Sequence, residues 1–309
     1  MHSKLPYLKD LEDEAIHIIR EAVAESENPV MLYSVGKDSS VMLKLAQKAF
    51  FPALVPFPLM HVDTSYKFKE MYEFRDQVKE NLIIYRNEEA IKETTNPFDW
   101  GMDKCCAKLK TKALLDAIAI HKFTLAFGGA RREEEKSRAK ERVFSVRDKF
   151  GQWNPKAQRP ELWNLYNAEI SEGESIRVFP LSNWTELDVW TYIKAESIPV
   201  VPLYLSIKRE VWYLQGNAGI VFPCEFVDGF FTGKMIEKYP ESMVLEEDVP
   251  CRFRSLGCIP CTGAVRSNAK TIDDIIDELK LVKRSERENR LIDLSSESSM
   301  ESKKRDGYF

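Results

Sequence analysis

The chain has 309 residues, 44% hydrophobic and 30% charged, enough apolar side chain to bury a substantial core and to exclude wholesale disorder. Lysine plus arginine number 45 against 49 aspartate plus glutamate, a net charge of −4, which excludes a generic nucleic-acid coat but leaves room for a local basic groove. No apolar run approaches the roughly 20 residues of a membrane helix, and the opening MHSKLPYLKDLEDEA has neither an apolar signal core nor an Arg-rich character, so a cytoplasmic protein without membrane contact is expected.

In chain order, a helix is expected over about residues 8–26, with Leu11, Ala15, Ile18, Ile19 and Ala22 at helical spacing and Asn28-Pro29 as its stop. The apolar run 30–33 reads as a buried strand, 34–40 as a polar turn and 41–50 as a helix. A Pro-punctuated link leads to a second strand over 59–63. A helix at about 67–80, a strand at 82–85, a helix at about 107–121 and a strand at 123–127 follow. This rhythm implies an α/β fold, a parallel twisted sheet with helices on both faces. Ligands of such sheets bind at the carboxyl ends of the strands, where the polar motifs fall here. Beyond about residue 150 the pattern becomes irregular, closing with a helix at about 272–280 and a polar tail over 295–309. The expected division is a sheet domain over 1–200 and a C-terminal substrate or partner region over 201–309.

The turn after the first strand carries the main signal. Gly36 permits close backbone approach and a positive φ, and the next helix offers unpaired N–H groups and the positive end of its dipole. Ser34, Ser39 and Ser40 add hydroxyls and Lys37 adds charge. The same residues also suit an ordinary strand-to-helix turn in which Ser and Asp cap the helix. It is not a Walker loop, since no Gly-Lys-Ser/Thr triplet occurs. All six cysteines lie beyond residue 100, and Cys105-Cys106 and Cys258-Ile259-Pro260-Cys261 are the two spacings that suggest ligands. Buried apolar packing is the plainer reading, above all for Cys224 and Cys251.

Ser-x-Gly-x-Asp-Ser over residues 34–39 resembles the PP-loop of N-type ATP pyrophosphatases, with Val35 in place of the usual first glycine. The blocks NPVMLYSVGKDSSVML, HVDTSYKFKEMYEFRD, FGGARREEEKSRAKERVFS, NPKAQRPELWNLYN, GESIRVFPLSNWTELDVW and SMESKKRDGYF are together similar to the small subunits of bacterial sulfate adenylyltransferases, over nearly the whole chain. That resemblance implies the adenine nucleotide alpha hydrolase-like fold of the PAPS reductase superfamily. It also implies transfer of AMP from ATP, with Mg²⁺, to an oxyanion, sulfate by resemblance, and release of pyrophosphate.

By the same resemblance, Ser34, Gly36, Lys37, Asp38, Ser39 and Ser40 hold phosphates, and His61 and Asp63 border the nucleotide. Gly128-Gly129 brings backbone to the ligand, and Lys37, Asp38, Arg131 and Arg132 are the candidate catalytic residues. Guanidinium forks suit pyrophosphate or sulfate oxygens. Arg138 and Arg142 are further candidates, in a charged run over 131–149 that otherwise reads as a solvated helix face.

The chain departs from that family in its cysteines. Cys105-Cys106 ahead of a helix, with Gly257-Cys258-Ile259-Pro260-Cys261-Thr262 later, is similar to the iron–sulfur pattern of adenylylsulfate reductases and implies a [4Fe–4S] cluster, or zinc, on four thiolates. Two readings of the acceptor follow. One is a sulfate adenylyltransferase subunit with a GTPase large subunit. The alternative is an iron–sulfur relative that activates a phosphate or carbonyl oxygen for sulfur insertion into nucleic acid, as in DNA phosphorothioation or RNA thiolation, with a cysteine desulfurase partner. A reductase proper is disfavoured, because no cysteine follows Cys261; a non-enzymatic nucleotide-binding subunit and a homo-oligomer stay open.

Overall fold

The computed structural model describes residues 6–135, 138, 140–214, 220–226, 233–234, 236–237, 243–281 and 307. Helix α1 (Pro6–Ala24) leads into strand β1 (Pro29–Leu32), helix α2 (Lys37–Phe50) and strand β2 (Leu59–Val62). Helix α3 (Lys69–Arg75), strand β3 (Leu82–Tyr85) and the short helix α4 (Glu88–Lys92) follow. A continuous helical run joins α5 (Met102–Cys106), a π-helical segment (Ala107–Lys112) and α6 (Ala113–His121), and ends at strand β4 (Leu125–Phe127). Strands β5 (Phe144–Arg147) and β6 (Ser175–Val178) and helix α7 (Glu186–Glu196) come next, then strands β7 (Ile207–Leu214), β8 (Ile220–Pro223), β9 (Met243–Arg252) and β10 (Ala264–Arg266) and helix α8 (Ile272–Leu281).

Six strands form one sheet in the order β3-β2-β1-β4-β6-β5, all parallel except β5, which runs antiparallel to β6. The central strands are apolar on both faces, as parallel strands covered on both sides must be. Met31, Leu59, Phe127 and Val178 face a large core that takes in Ile18 and Ile19 of α1, Leu45 of α2 and Trp190 of α7. Val30, Met60 and Ala126 point the other way, onto Leu114 and Ala117 of α6. The strand order reverses between β1 and β4, the point in such sheets at whose carboxyl end ligands bind.

Two features differ from the expected pattern. The C-terminal region is not irregular: β10-β8-β7-β9 close into a small antiparallel barrel, whose Val211, Val221, Cys251 and Phe253 join the same core as the helices of the sheet. Nor is the charged run over 131–149 a solvated face. Arg131, Arg138, Glu141 and Arg147 are buried, and Glu141 pairs with both Arg138 and Arg147. Burial draws the Arg147 guanidinium down to about 10 and its neighbour Arg177 to about 9. The tail over 295–309 lies outside the described residues except for Gly307, which packs against Leu115 and Gly151. No helix among the described residues is long and apolar enough to cross a membrane.

Candidate active site

Strand β1 ends where its backbone turns through Ser34, Val35 and Gly36 into α2. Lys37 is the first residue of that helix, earlier than the helical pattern suggests. Gly36 precedes it with an extended φ of −84°, and the positive φ expected there falls on Val35, at 68°. A buried β-branched residue in the left-handed region stores strain of about 1–3 kcal/mol, of the kind that collects at ligand-binding turns. The glycine is needed for space instead: a Cβ on Gly36 would lie 3.3 Å from the Ser34 hydroxyl and 3.4 Å from that of Tyr204. Ser39 donates to the Gly36 carbonyl (2.9 Å), and Ser34 to Ser39 (3.3 Å). The turn thus carries hydroxyls and the leading amides of a 14-residue helix at the sheet's carboxyl edge.

Charge converges on Asp38. Lys37 Nζ stands 3.3 Å from one carboxylate oxygen, and Arg131 Nε donates to the other at 2.9 Å. Arg131 is 1% exposed, fixed also by Glu133 and Glu134. Gly128 and Gly129 leave β4 opposite: the Gly128 N–H donates to the Val178 carbonyl (2.8 Å), and a Cβ on Gly129 would approach the Asp38 Cβ to 3.0 Å. Arg132 does not join them; its guanidinium bonds Asn183. Arg138 lies over the Phe179 ring and pairs with Glu141, and Arg142 is exposed.

Sequence reasoning missed three members of this neighbourhood. Tyr204 accepts the Lys37 backbone N–H at 2.9 Å, the Arg254 carbonyl accepts from Lys37 Nζ at 3.4 Å, and Glu186 pairs with the Arg254 guanidinium at 2.6 Å. No local motif marks them, because folding alone brings these distant segments together.

At the end of β2, His61 donates its Nδ1–H to the Tyr33 carbonyl (2.8 Å), while the buried Nε2 meets no protein partner among the described residues. Burial, reinforced by nearby Lys67, pulls the imidazole down to about 4, so at neutral pH Nε2 is a bare acceptor. Asp63 is fully buried and spent on structure: Arg86 holds it by two bonds (2.8 and 2.6 Å), Tyr72 by one (2.9 Å) and the Ser65 N–H by another (2.9 Å). Burial opposes its ionisation, but these donors outweigh it and hold the carboxyl below its usual range. A cavity of about 250 Å³ opens between the two strand ends, lined by Tyr33, Ser34, Met60, Thr64, Lys110 and Gly257 among others.

The model of the phosphoadenosine phosphosulfate reductase domain matches residues 28–264. Sulfate adenylyltransferase subunit 2 of Bacteroides thetaiotaomicron is 55% identical, over 99% of both chains. The proteins of the same name from Bacteroides fragilis and Pseudomonas putida are 56% and 53% identical, over 99% and 100% of this chain and 98% and 100% of theirs. The chain belongs to the sulfate adenylyltransferase subunit 2 family. Membership favours the adenylyl-transfer reading over sulfur insertion into nucleic acid. In this member the turn between β1 and α2 is strained at Val35 and closed by Tyr204.

The two cysteine pairs lie on separate elements of the fold. Cys105 and Cys106 are not ahead of a helix but inside one, in the last turn of α5, where the backbone widens into the π segment. Such π segments cluster at functional sites. Cys258 and Cys261 flank a single 3₁₀ turn, strapped to the segment after β2 by the Ile259 N–H on the Tyr66 carbonyl (2.7 Å) and by a 3.1 Å contact between the Thr64 hydroxyl and Cys258 Sγ. All four thiols are buried and share one electrostatic neighbourhood.

Burial, then Cys106 and Cys258, push the Cys105 thiol up to about 12; burial and the other three push Cys261 up as well. Burial would raise Cys258 too, but Lys110, Lys67 and the Thr64 hydrogen bond outweigh it and draw it below the ordinary thiol range. Cys224 and Cys251 instead feel charged groups of the barrel. Among the described residues, no three His, Cys, Asp or Glu side chains stand arranged as a metal site.

Proposed function

We propose that this chain binds MgATP on the turn between β1 and α2 and transfers AMP to sulfate. The observation that carries the reading is the convergence of Lys37 and Arg131 on Asp38 beside the α2 N-terminus, at the point where the strand order reverses. The leading amides and the hydroxyls of Ser34, Ser39 and Ser40 take the β- and γ-phosphate oxygens. The cavity at the ends of β1 and β2 receives the nucleoside. A sulfate oxygen attacks the α-phosphorus, the bond to the bridging oxygen breaks, and pyrophosphate departs with the charge that Lys37 and Arg131 neutralise. Positioning and charge neutralisation are what the protein supplies in such transfers. A GTPase large subunit completes the enzyme, in keeping with the designation of the relatives as subunit 2, in a cytoplasmic setting.

With the GTPase subunit present, Asp38→Ala and Arg131→Ala should each lower sulfate-dependent pyrophosphate release at least about 100-fold while the melting profile is kept. Near-normal turnover in both variants would overturn the assignment.

Cys105, Cys106, Cys258 and Cys261 would hold a [4Fe–4S] cluster, with zinc as the second reading. Four buried thiols and a widened helical turn supply the donors for this reading, and the four side chains would have to draw together to enclose the group. When bound, the group would brace the π segment against the loop over 257–261. Anaerobic purification should give a brown protein with about four irons per chain, lost in Cys105→Ser or Cys258→Ser. A colourless, iron-free and fully active preparation would remove the cluster.

A further inference from the structure

The phosphate turn is closed by groups from the side of the barrel. The Lys37 backbone N–H, one of the leading amides that a helix N-terminus directs at an anion, donates to the Tyr204 hydroxyl at 2.9 Å. Tyr204 is buried edge-on against Trp190, with ring centroids 5.2 Å apart, and its oxygen lies where a Cβ on Gly36 would almost touch it. A second contact acts on the same residue, the Arg254 carbonyl accepting from Lys37 Nζ. The two are tied together, because the Phe253 N–H donates to the Leu203 carbonyl (2.9 Å), linking the turn that carries Tyr204 to the residue before Arg254.

We propose that Tyr204 is a placeholder for a phosphate oxygen: its hydroxyl accepts from the Lys37 amide and is displaced from it by an oxygen of ATP or pyrophosphate. This deepens the ATP-site reading and rests on it. A buried N–H without a partner is costly, and Tyr204 supplies the oxygen that this one bonds. A neutral hydroxyl is a weaker acceptor than an anionic phosphate oxygen and yields to it. Tyr204 is thus a positioning residue that acts through the loop backbone. Because its turn is bonded to Phe253, its withdrawal also loosens the carbonyl on Lys37 Nζ, coupling phosphate entry to the barrel.

Tyr204→Phe removes the hydroxyl acceptor of the Lys37 amide, a loss felt in the ligand-free form alone. Calorimetric titration of the full chain with inorganic pyrophosphate, and with MgATP, should then show binding about three- to ten-fold tighter than wild type. The empty variant should melt lower than wild type, and the gap should close at saturating pyrophosphate, whereas a merely structural role would lower both forms alike. Tyr204→Met, which keeps bulk without the oxygen, should behave the same way if the phenylalanine variant is poorly folded. Equal or weaker binding by either folded variant, with wild type binding normally, overturns the placeholder and leaves the ATP site standing. A wild-type chain that binds neither ligand, or an Asp38→Ala variant that binds as well as wild type, overturns the ATP-site reading itself.

Discussion

At Val35 two terms oppose each other. The left-handed backbone costs a β-branched residue about 1–3 kcal/mol, which glycine would not incur. The valine side chain is 1% exposed, and its burial returns about 1.5–3 kcal/mol, while glycine adds about 0.5–1 kcal/mol of unfolded-state entropy. The burial side wins narrowly, so Val35→Gly should lose about 1 kcal/mol in urea denaturation and leave the KM for ATP within about two-fold. A KM change much larger than that would show that the valine shapes the phosphate turn itself. The same position shows what a motif hides. The turn was legible as Ser-x-Gly-x-Asp-Ser, yet φ belongs to the path between strand and helix, and the residue type pointed to the wrong neighbour.

His61 yields a pH limb at the same scale. Unfolded, an imidazole takes its proton near pH 6.5; folded, burial and Lys67 delay this to about 4. Between those values the unfolded chain binds more protons, so the neutral ring's contribution is complete above about pH 6.5. It is lost as the pH falls toward 4, in all about 3 kcal/mol. His61→Gln should flatten that limb between pH 7 and 5; parallel losses in variant and wild type would exclude this histidine as its source.

Among the elements, β5 is an edge strand, and edges left bare invite pairing with other chains. The chain covers this one with side chains rather than another strand. Glu161 accepts the N–H groups of Val143 (3.1 Å) and Phe144 (2.7 Å), and Gln158 accepts that of Val146 (2.9 Å) and donates to its carbonyl. Glu161→Ala should therefore cost about 1–3 kcal/mol and promote concentration-dependent association, read by denaturation and light scattering. A variant as stable as wild type and no more prone to associate would show the edge needs no cover. Nothing in QRPELW signals this work, since it resides in two side chains bonding a strand close in space.

The periodic helices and apolar strands were visible because one-sided and fully buried elements leave 3.6-residue and continuous-run patterns. The start of the helical run at Met102 was not, because MDKCC has no such period and Gly101, with φ at 80°, is a cap only in context. The barrel was obscured by charges on its outward positions, as in EVWYL and MVLEEDVPCR.

For the molecule as a whole, the question is whether residues 1–200 and 201–309 are separate units or one. We expect one, because the barrel contributes to the core of the sheet rather than a core of its own. Val211, Val249, Cys251 and Phe253 lie in the same buried cluster as Ile18, Leu45 and Trp190. Phe68, just before α3, packs edge-on against Phe226 and tilted against Phe253 of the barrel side, with centroids 4.9 Å from each. Interiors packed this way transmit the loss of one part to the other. Calorimetry should record a single transition with matching calorimetric and van't Hoff enthalpies. Phe253→Ala, which empties the joint, should lower that one transition by about 3–5 kcal/mol without splitting it. Two resolved transitions, with only the smaller one moved by Phe253→Ala, would establish the division near residue 200 instead and would free the barrel to move against the phosphate turn as a body.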